Sequence, residues 1–252
     1  MCKIGNLLIG SNATDSTGNA SINYRITVPA GTYTISARYY GTPLYTSSNA
    51  TTIILVNPLT LTITGDVKNA QIVSVNGTLY TTDASGKAVI TINQLGAYAV
   101  QILTPYNLNQ TTRIAFIQWN DGTTSNQKTI TMNSDQTYSI TTIIQYYLSV
   151  TSTYSNTQGS GWYDSGSEAS FSVSPTTVSS GFLTNNVFHS WSGDYTETAS
   201  TGTITMNSPK EIVALWTTDS SQLYLLLEIL PIVIIIILVA VLLMRRKKPA
   251  NE

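Results

Sequence analysis

A strand pattern in which apolar and polar residues alternate with a period of two occurs twice in the first 222 positions of the chain. In the stretch TITMNS, at Thr129–Ser134, Ile130 and Met132 alternate with threonines, and the same six residues return at Thr203–Ser208. A period of two places successive side chains on opposite faces of a strand. Because no stretch before Leu223 has sustained helical periodicity, the pattern predicts an all-β body made of short strands.

The pattern changes at residue 223, where an apolar run of 22 residues begins: LYLLLEILPIVIIIILVAVLLM. At a rise of about 1.5 Å per residue, a helix of this length crosses the ~30 Å hydrocarbon core of a bilayer. We therefore predict a transmembrane helix over 223–244, joined to the body by a polar linker over 219–222. Four basic residues follow at once: Arg245, Arg246, Lys247 and Lys248. Basic clusters favour the cytoplasmic side, so we expect a single-pass cell-membrane protein with tail 245–252 in the cytoplasm and residues 1–222 outside.

The duplicated TITMNS belongs to a longer repeat. Each copy begins with Phe-x-x-Trp, continues through a turn that contains an aspartate, and ends in the TITMNS strand. Phe and Trp three positions apart point to opposite faces of a straight strand, so both reach one core only across a bulge or in a two-sided core. We interpret them as core residues of the repeat, the alternative being an aromatic platform that binds sugars. The residues concerned are Phe116, Trp119, Phe188 and Trp191.

A second repeat, with the form T-D-x-x-G-x-A-x-I, starts at Thr14 and again at Thr82. The first copy is followed by GTYTI at Gly31 and the second by GAYAV at Gly96. An aspartate accepts hydrogen bonds from the backbone of its own turn, and a glycine adopts positive φ at no steric cost. The motif therefore predicts a turn that leads into a strand.

These patterns divide the chain into small modules. The predicted segments are a partial immunoglobulin-like β module over 1–57, a short β module over 58–104, a partial Phe-x-x-Trp repeat over 105–145 and a full copy over 146–218. The predicted fold is thus a tandem of small β-sandwich modules followed by one transmembrane α-helix. The first segment is shorter than a complete immunoglobulin-type sandwich of about 100 residues, and MCKIGNLLIG lacks the pattern of a signal peptide. We therefore expect the chain to be the C-terminal part of a longer protein.

Composition supports the β prediction and narrows the function classes. Charged residues make up 10% of the chain, and polarity comes instead from 39 Thr and 28 Ser. The branched Cβ of Thr suits a pleated surface. Residues 1–222 contain 8 Lys/Arg and 11 Asp/Glu, a net charge of 8 − 11 = −3, which argues against nucleic-acid binding because that needs a basic face. Cys2 is the single cysteine, so neither an intrachain disulfide nor a thiolate metal site is expected.

Little in the sequence points to catalysis. His189 is the single histidine, and it aligns with the apolar Ile117 of the other repeat copy, so we predict a structural position for it. Asp121, Asp164 and Asp194 fall in predicted turns without the spacing of a calcium-binding loop. We therefore predict no catalytic residue, no metal site and no cofactor, and hence a chain that is not itself an enzyme.

Asn-x-Ser/Thr sequons occur only before residue 110. In an external protein they are candidate glycosylation sites. They are Asn12, Asn19, Asn49, Asn76 and Asn109.

Several of these stretches resemble known surface modules. AGTYTISARYYGTPLYTSSNATTIILV, residues 30–56, resembles the closing strands of bacterial immunoglobulin-like domains. Phe-x-x-Trp-Ser-Gly-Asp, followed by Thr-Ile-Thr-Met and Lys-x-Ile-x-Ala-x-Trp, resembles the divergent internalin-B-type repeat. Together with the terminal helix and basic tail, the chain is similar to the C-terminal region of archaeal surface proteins. Such modules share architecture and carry no common chemistry.

The expected function is that of a membrane-anchored structural or adhesive protein of the cell surface. Its expected partners are the membrane itself and, for adhesion, a surface glycan or another surface protein. Two alternatives remain open on the sequence. The chain is the stalk and anchor of a surface hydrolase whose catalytic domain lies upstream, or it is a tail-anchored protein with its body in the cytosol.

Overall fold

The computed structural model describes residues 1–246. Most of the secondary-structure elements in this range are β-strands. The chain is 54% strand and 10% helix, and the helix is the C-terminal apolar one. The predicted fold class, a mostly β body with one C-terminal apolar helix, is therefore confirmed. The chain divides into two compact units, the first made of residues 1–106 and 114–143, the second of residues 107–113 and the chain from 144 onward.

Unit 1 begins with a four-stranded antiparallel sheet, which we call the N-terminal sheet. Its strand order is β2-β1-β3-β4, and Ile4 is its one buried side chain. The strands are β1 Cys2–Ile4, β2 Leu7–Gly10, β3 Gly31–Tyr39 and β4 Ser48–Val56.

The second part of unit 1 forms a closed module, which we call module A and define by its strand pairing as residues 59–143; within this range, residues 107–113 belong to unit 2. One sheet has the order β7-β6-β9-β12, and the other contains β11, the first part of β13, β5 and β8 in that order. Both sheets contribute aliphatic side chains to a single core around Leu61, Val100, Trp119 and Met132. The strands are β5 Leu59–Thr64, β6 Gln71–Val75, β7 Thr78–Thr81, β8 Lys87–Ile92, β9 Gly96–Ile102, β10 Tyr106–Asn107, β11 Thr112–Trp119, β12 Gln127–Met132 and β13 Gln136–Ser152.

Unit 2 contains a second closed module, module B, which covers residues 144–219. One sheet has the order β17-β18-β20-β13-β15, using the second part of β13, and the other has the order β14-β16-β19. The core lies around Leu148, Phe171, Trp191, Met206 and Ile212. The further strands are β14 Asn156–Gln158, β15 Gly161–Asp164, β16 Glu168–Ser174, β17 Thr177–Gly181, β18 Thr184–Gly193, β19 Thr201–Thr205 and β20 Lys210–Asp219.

The two modules have the same topology except for β7, which has no counterpart in module B. In module A the first strand, β5, pairs in parallel with the start of β13, which is the last strand of that module. In module B the first strand is the end of β13, and it pairs in parallel with the last strand, β20. The Phe-x-x-Trp strand lies beside the last strand in both modules, and the TITM strand lies in the opposite sheet, beside β9 in one and β16 in the other.

The structure differs here from the division made on sequence. The segments 58–104 and 105–145 form one module, because each contributes strands to both sheets around one core and neither has a complete core alone. The boundary between 145 and 146 falls inside β13, which continues from module A into module B without a turn. The repeated unit is therefore several times longer than the similarity from Phe-x-x-Trp to TITMNS, which covers 19 residues at 116–134 and 21 residues at 188–208.

The N-terminal sheet reproduces the β7-β6-β9-β12 sheet of module A strand for strand. The order β2-β1-β3-β4 matches it, and the turns between the first two strands begin with equivalent hydrogen bonds, from Gly5 N to Thr34 O and from Asn76 N to Ala99 O, both 2.8 Å. The registers match as well. Cys2 pairs with Ala37 as Val73 pairs with Ile102, and Ile4 pairs with Ile35 as Val75 pairs with Val100. Likewise, Gly31 pairs with Val56 as Gly96 pairs with Met132.

The T-D-x-x-G repeat forms the same turn in both places. Asp15 Oδ1 accepts hydrogen bonds from the backbone N–H of the residues two and four positions later, at 2.9 Å each. Asp83 Oδ1 does the same at 2.8 and 2.9 Å. These donors hold the pKa of both carboxyls below the usual value, the hydroxyl of Thr17 or Ser85 contributing most. The N-terminal sheet is therefore a third, partial copy of the module.

Among residues 1–246 there is one helix, α1, which spans Ser221–Arg246 and is long and apolar enough to cross a membrane. The four-residue linker predicted at 219–222 is shorter in the structure, because β20 includes Asp219 and the helix begins two residues later. The carboxylate of Asp219 accepts a hydrogen bond from Ser221 N (2.9 Å), which satisfies an N–H at the helix start. Of the four predicted topology determinants, Lys247 and Lys248 lie outside the described residues, and Arg245 and Arg246 are the last residues of the helix.

Gly193, at the end of β18, provides a test of module B. Its φ is +94°, and a Cβ there would overlap the carbonyl oxygen of Glu211 on β20. Gly166 has a similar φ of +84° but open space around the Cβ position. We expect Gly166→Ala to cost about 1–2 kcal/mol of unfolding free energy from the left-handed backbone alone, and Gly193→Ala to cost about 1–3 kcal/mol more from the overlap.

The measurement is urea unfolding of the full chain in detergent micelles, with both variants compared to wild type. Equal losses for the two variants would contradict the close approach of β18 and β20 at Gly193.

Candidate functional site

The Phe-x-x-Trp strand of module B reaches its core across a β-bulge. Phe188 lies opposite Trp216 of β20, whereas Ser190 lies opposite the preceding residue, so His189 is the extra residue of the bulge. The bulge turns Phe188 and Trp191 to the same side, and their rings meet edge to face at 5.2 Å. Trp191 is 1% exposed, and its Nε1 donates to Ala199 O at 2.8 Å.

Module A contains the equivalent arrangement. Phe116 and Trp119 meet edge to face at 5.8 Å with an interplanar angle of 62°, against 60° in module B. Trp119 is fully buried, and its Nε1 donates to Ser125 O at 2.9 Å. The tryptophan of each copy thus fills the core, with its one polar atom paired to a backbone carbonyl. A sugar-binding platform built on these two rings is not available, because neither ring face is open to solvent.

The two cores have side chains of different size at one equivalent pair of positions. In module A, Val100 on β9 lies opposite Lys128 on β12. In module B the equivalent pair is Phe171 opposite Gly202. A Cβ on Gly202 would lie 2.6 Å from the ring of Phe171, so the large ring needs the glycine.

The ammonium group of Lys128 packs against two aromatic rings of module A. Its ammonium lies 4.6 Å from the ring centroid of Tyr138 and 5.4 Å from that of Trp119, and it pairs with the carboxylate of Asp121. The hydrogen bond from Lys128, followed by those from Thr123, lowers the pKa of Asp121 to about 2. In module B, Asp194 pairs with Lys210 at 3.4 Å and also accepts Glu211 N at 2.8 Å. Both turn aspartates therefore serve the fold of their own module.

The remaining candidate chemistry is dispersed. His189 is exposed on the bulge, away from the core side of the strand. Asp164 accepts a hydrogen bond from Gln145 Nε2 at 2.7 Å. Among residues 1–246, no group of three or more His, Cys, Asp or Glu side chains is placed to hold a metal ion.

Sequence reasoning missed one polar cluster in unit 2. Arg113 stacks over the ring of Trp162 at 4.4 Å and donates its Nε–H to Gln145 Oε1 at 2.7 Å. Gln145 in turn bridges to Asp164, as described above. Nothing in the spacing of these residues along the chain brings them together, because β13, β15 and the segment 107–113 meet only in the folded unit.

All five candidate glycosylation asparagines are exposed. Asn76 occupies the turn between β6 and β7 with a φ of +47°, and its Oδ1 accepts Ala99 N at 2.8 Å. Asn109 Oδ1 accepts Thr111 N at 2.9 Å. Both bonds use the amide oxygen, which leaves the amide nitrogen, the atom that would carry a glycan, pointing away from that partner. Asn12 and Asn19 each donate one hydrogen bond from Nδ2, at 2.9 and 3.0 Å, and Asn49 lies on β4.

Comparison with protein-family models found no match for this chain, and comparison with curated proteins found none that is similar. The geometry of the modules and the helix therefore carries the functional interpretation.

Trp191 tests the assignment of the repeat aromatics to the core. Truncation of a buried tryptophan removes a large apolar side chain and leaves a cavity, so we expect Trp191→Ala to lose about 3–5 kcal/mol of unfolding free energy. Phe182 is 73% exposed, and Phe182→Ala is the matched control, with an expected change within about 0.5 kcal/mol. Urea unfolding of both variants gives the comparison, and an unchanged transition for Trp191→Ala would show that the ring is not a core element.

The pair of Asp121 and Lys128 predicts a dependence of stability on acid pH. Because the pKa of Asp121 is lowered from 3.8 to about 2 in the folded chain, its stabilising contribution is complete above about pH 4 and is lost as the pH falls towards 2. Asp121 lies at the surface, so we expect Asp121→Asn to lower the Tm at pH 7 by a few degrees at most.

The difference in Tm between wild type and Asp121→Asn should shrink between pH 4 and pH 2. The control is the same substitution in a Lys128→Gln background, where the effect should be smaller at every pH. A difference that stays constant with pH, or that is independent of Lys128, would contradict the assigned ion pair.

Proposed function

We propose that this chain is a membrane-anchored structural or adhesive protein of the cell surface, with its β modules outside the cell and its basic tail in the cytoplasm. The single observation that carries the proposal is the direct succession of repeated β modules and an apolar helix. Module B ends at Asp219 and the helix begins at Ser221, so the last β module lies immediately at the membrane surface.

Repetition of one closed module supports a structural role. Modules A and B share the strand order of the sheet that contains the Phe-x-x-Trp strand, and in each module the tryptophan is buried in the core with the phenylalanine packed against it. Architecture of this kind positions whatever it carries, while specific chemistry resides in sites added to it. For adhesion, the partner is a surface glycan or another surface protein, bound on the exposed faces of the modules.

The charge distribution supports the orientation. The helix is apolar, and none of its hydrophobic span is buried in the protein, which leaves it free to face lipid. Basic residues flank it on the C-terminal side only: Arg245, Arg246, Lys247 and Lys248. Lys210 is the one basic residue in the 15 positions before the helix, so the asymmetry in Lys and Arg favours a cytoplasmic tail.

The proposal is tested by protease protection in right-side-out vesicles of the native membrane. Antibodies against module B and against the tail residues 245–252 follow the two sides separately. We expect protease to remove the module B epitope and leave the tail epitope intact, with the tail fragment retained in the membrane after an alkaline carbonate wash. Detergent permeabilisation is the control, after which both epitopes should be lost.

Protection of module B together with loss of the tail epitope would reverse the orientation and favour the tail-anchored alternative. Release of the chain by carbonate would show that the helix does not anchor the chain in the membrane.

A further inference from the structure

The hairpin between β17 and β18 has an apolar turn at its end. The turn consists of Phe182 and Leu183, between the paired residues Gly181 and Thr184. We call Phe182 and Leu183 the hairpin tip. Phe182 is 73% exposed and Leu183 is half-buried. Residues 169–188 include no charged side chain, so transfer of the hairpin tip out of bulk water would not bury an ionised group.

The two tip residues are unusual for a turn that faces water. Among residues 1–246, Leu183 is the one position other than asparagine or glycine with a left-handed backbone, at a φ of +55°. The other two-residue hairpin turns have the polar and flexible residues that dominate turns, Gly-Asn at 5–6 and Asn-Gly at 76–77. Phe182 does not belong to the core of module B. The composition of the hairpin tip therefore indicates an apolar environment that module B itself does not provide.

The hairpin tip lies at the end of module B from which α1 leaves. Asn185 on β18 pairs with Asp219, the last residue of β20. Because the two strands are antiparallel, the hairpin tip continues past Asn185 in the direction in which β20 leads to the helix. The helix begins two residues beyond Asp219, and Cα atoms of α1 lie within 8 Å of Cα atoms of β18. The helix therefore starts beside the strand that carries the hairpin tip.

We propose that the hairpin tip inserts into the interfacial region of the bilayer that α1 spans. The proposal rests on the membrane anchor of the proposed function and holds for either orientation of the chain. Aromatic and aliphatic side chains such as Phe182 and Leu183 bind the boundary between headgroups and acyl chains. Tyr224, in the first turn of α1, is 65% exposed and has the amphipathic ring that is enriched at the same boundary.

This contact would fix the tilt of module B on the membrane. The helix alone attaches module B at a single point, the short segment after Asp219. The hairpin tip adds a second point of attachment on the neighbouring strand pair β17 and β18. With two points held, the sheet that contains β18 and β20 stands with one end against the bilayer.

The experiment places the full chain in phosphatidylcholine vesicles and measures the quenching of a fluorescent probe by lipids with a nitroxide on the acyl chain. In a Cys2→Ser background, the probe is attached to one introduced cysteine. Ser180→Cys places it on an exposed position beside the hairpin tip, and Ser165→Cys places it in the exposed turn after β15. Ile234→Cys places it within the helix and reports the anchor separately.

Position 165 is the matched control because it lies at the opposite end of module B. Ser165 N donates to Ile144 O, before the point where β13 meets the first residue of β20. The ten residues of β20 separate this end from the hairpin tip by about 30 Å. Since the interfacial region is shallow, we expect the probe at position 180 to be quenched at least about twofold more than the probe at position 165.

Substitutions in the chain labelled at position 180 test the hairpin tip itself. Phe182→Asp should reduce the quenching to the level of position 165, because a carboxylate resists transfer out of water. Thr177→Asp makes the same change of charge at an exposed residue on the other end of β17 and should leave the quenching unchanged. Phe182→Trp should retain it, because tryptophan is favoured at the interface. Circular dichroism of each variant shows that the body remains folded.

Equal quenching at positions 180 and 165, with the probe at position 234 quenched, would overturn the proposal and leave the anchor intact. An unquenched probe at position 234 would remove the anchor and the proposal with it. Blue-shifted emission at position 180 without quenching by lipid would assign the hairpin tip to a protein partner or a second copy of the chain. Quenching that Phe182→Asp leaves unchanged would also contradict the proposal.

Discussion

Each closed module depends on one backbone constraint, the parallel pairing of its first strand with its last. β5 pairs in this way with the start of β13, and the end of β13 pairs with β20. The pairing joins residues that are about 75 positions apart in module A, such as Leu61 and Gln136. It brings the Phe-x-x-Trp strand over the opposite sheet and so seals the core.

The repeat is preserved in geometry more than in sequence. The bulge at His189 turns Phe188 and Trp191 to one side of β18, and the tryptophan nitrogen is satisfied by a backbone carbonyl in both modules. Around this centre, facing side chains differ between the modules in a compensating way. Val100 faces Lys128 in module A, and Phe171 faces Gly202 in module B. Packing density fixes the total volume of such a pair while leaving its division open.

The alternation of apolar and polar residues was sufficient to predict the β body, and the apolar run was sufficient to predict the helix. The burial of Trp119 and Trp191 also follows from their shared place in a repeated pattern. The module boundaries could not be predicted in the same way, because strand pairing between β5 and β13 leaves no local signal. The stack of Arg113 on Trp162 escaped prediction for the same reason. The helix start was displaced by two residues because the Asp219 cap, a local hydrogen bond, extends the helix beyond its apolar run.

Native-state hydrogen exchange of the full chain in detergent micelles tests the central claim, that residues 59–143 form one closed module, most directly. If β5 and the start of β13 close a single core, amides of β5, β8, β11 and β12 should share one opening free energy as a cooperative unit. That free energy should fall equally in all four strands when Leu61, a fully buried residue of β5, is changed to Ala. Loss of protection confined to residues 59–104, with β11 and β12 unaffected, would contradict the single module and restore the division at residue 104.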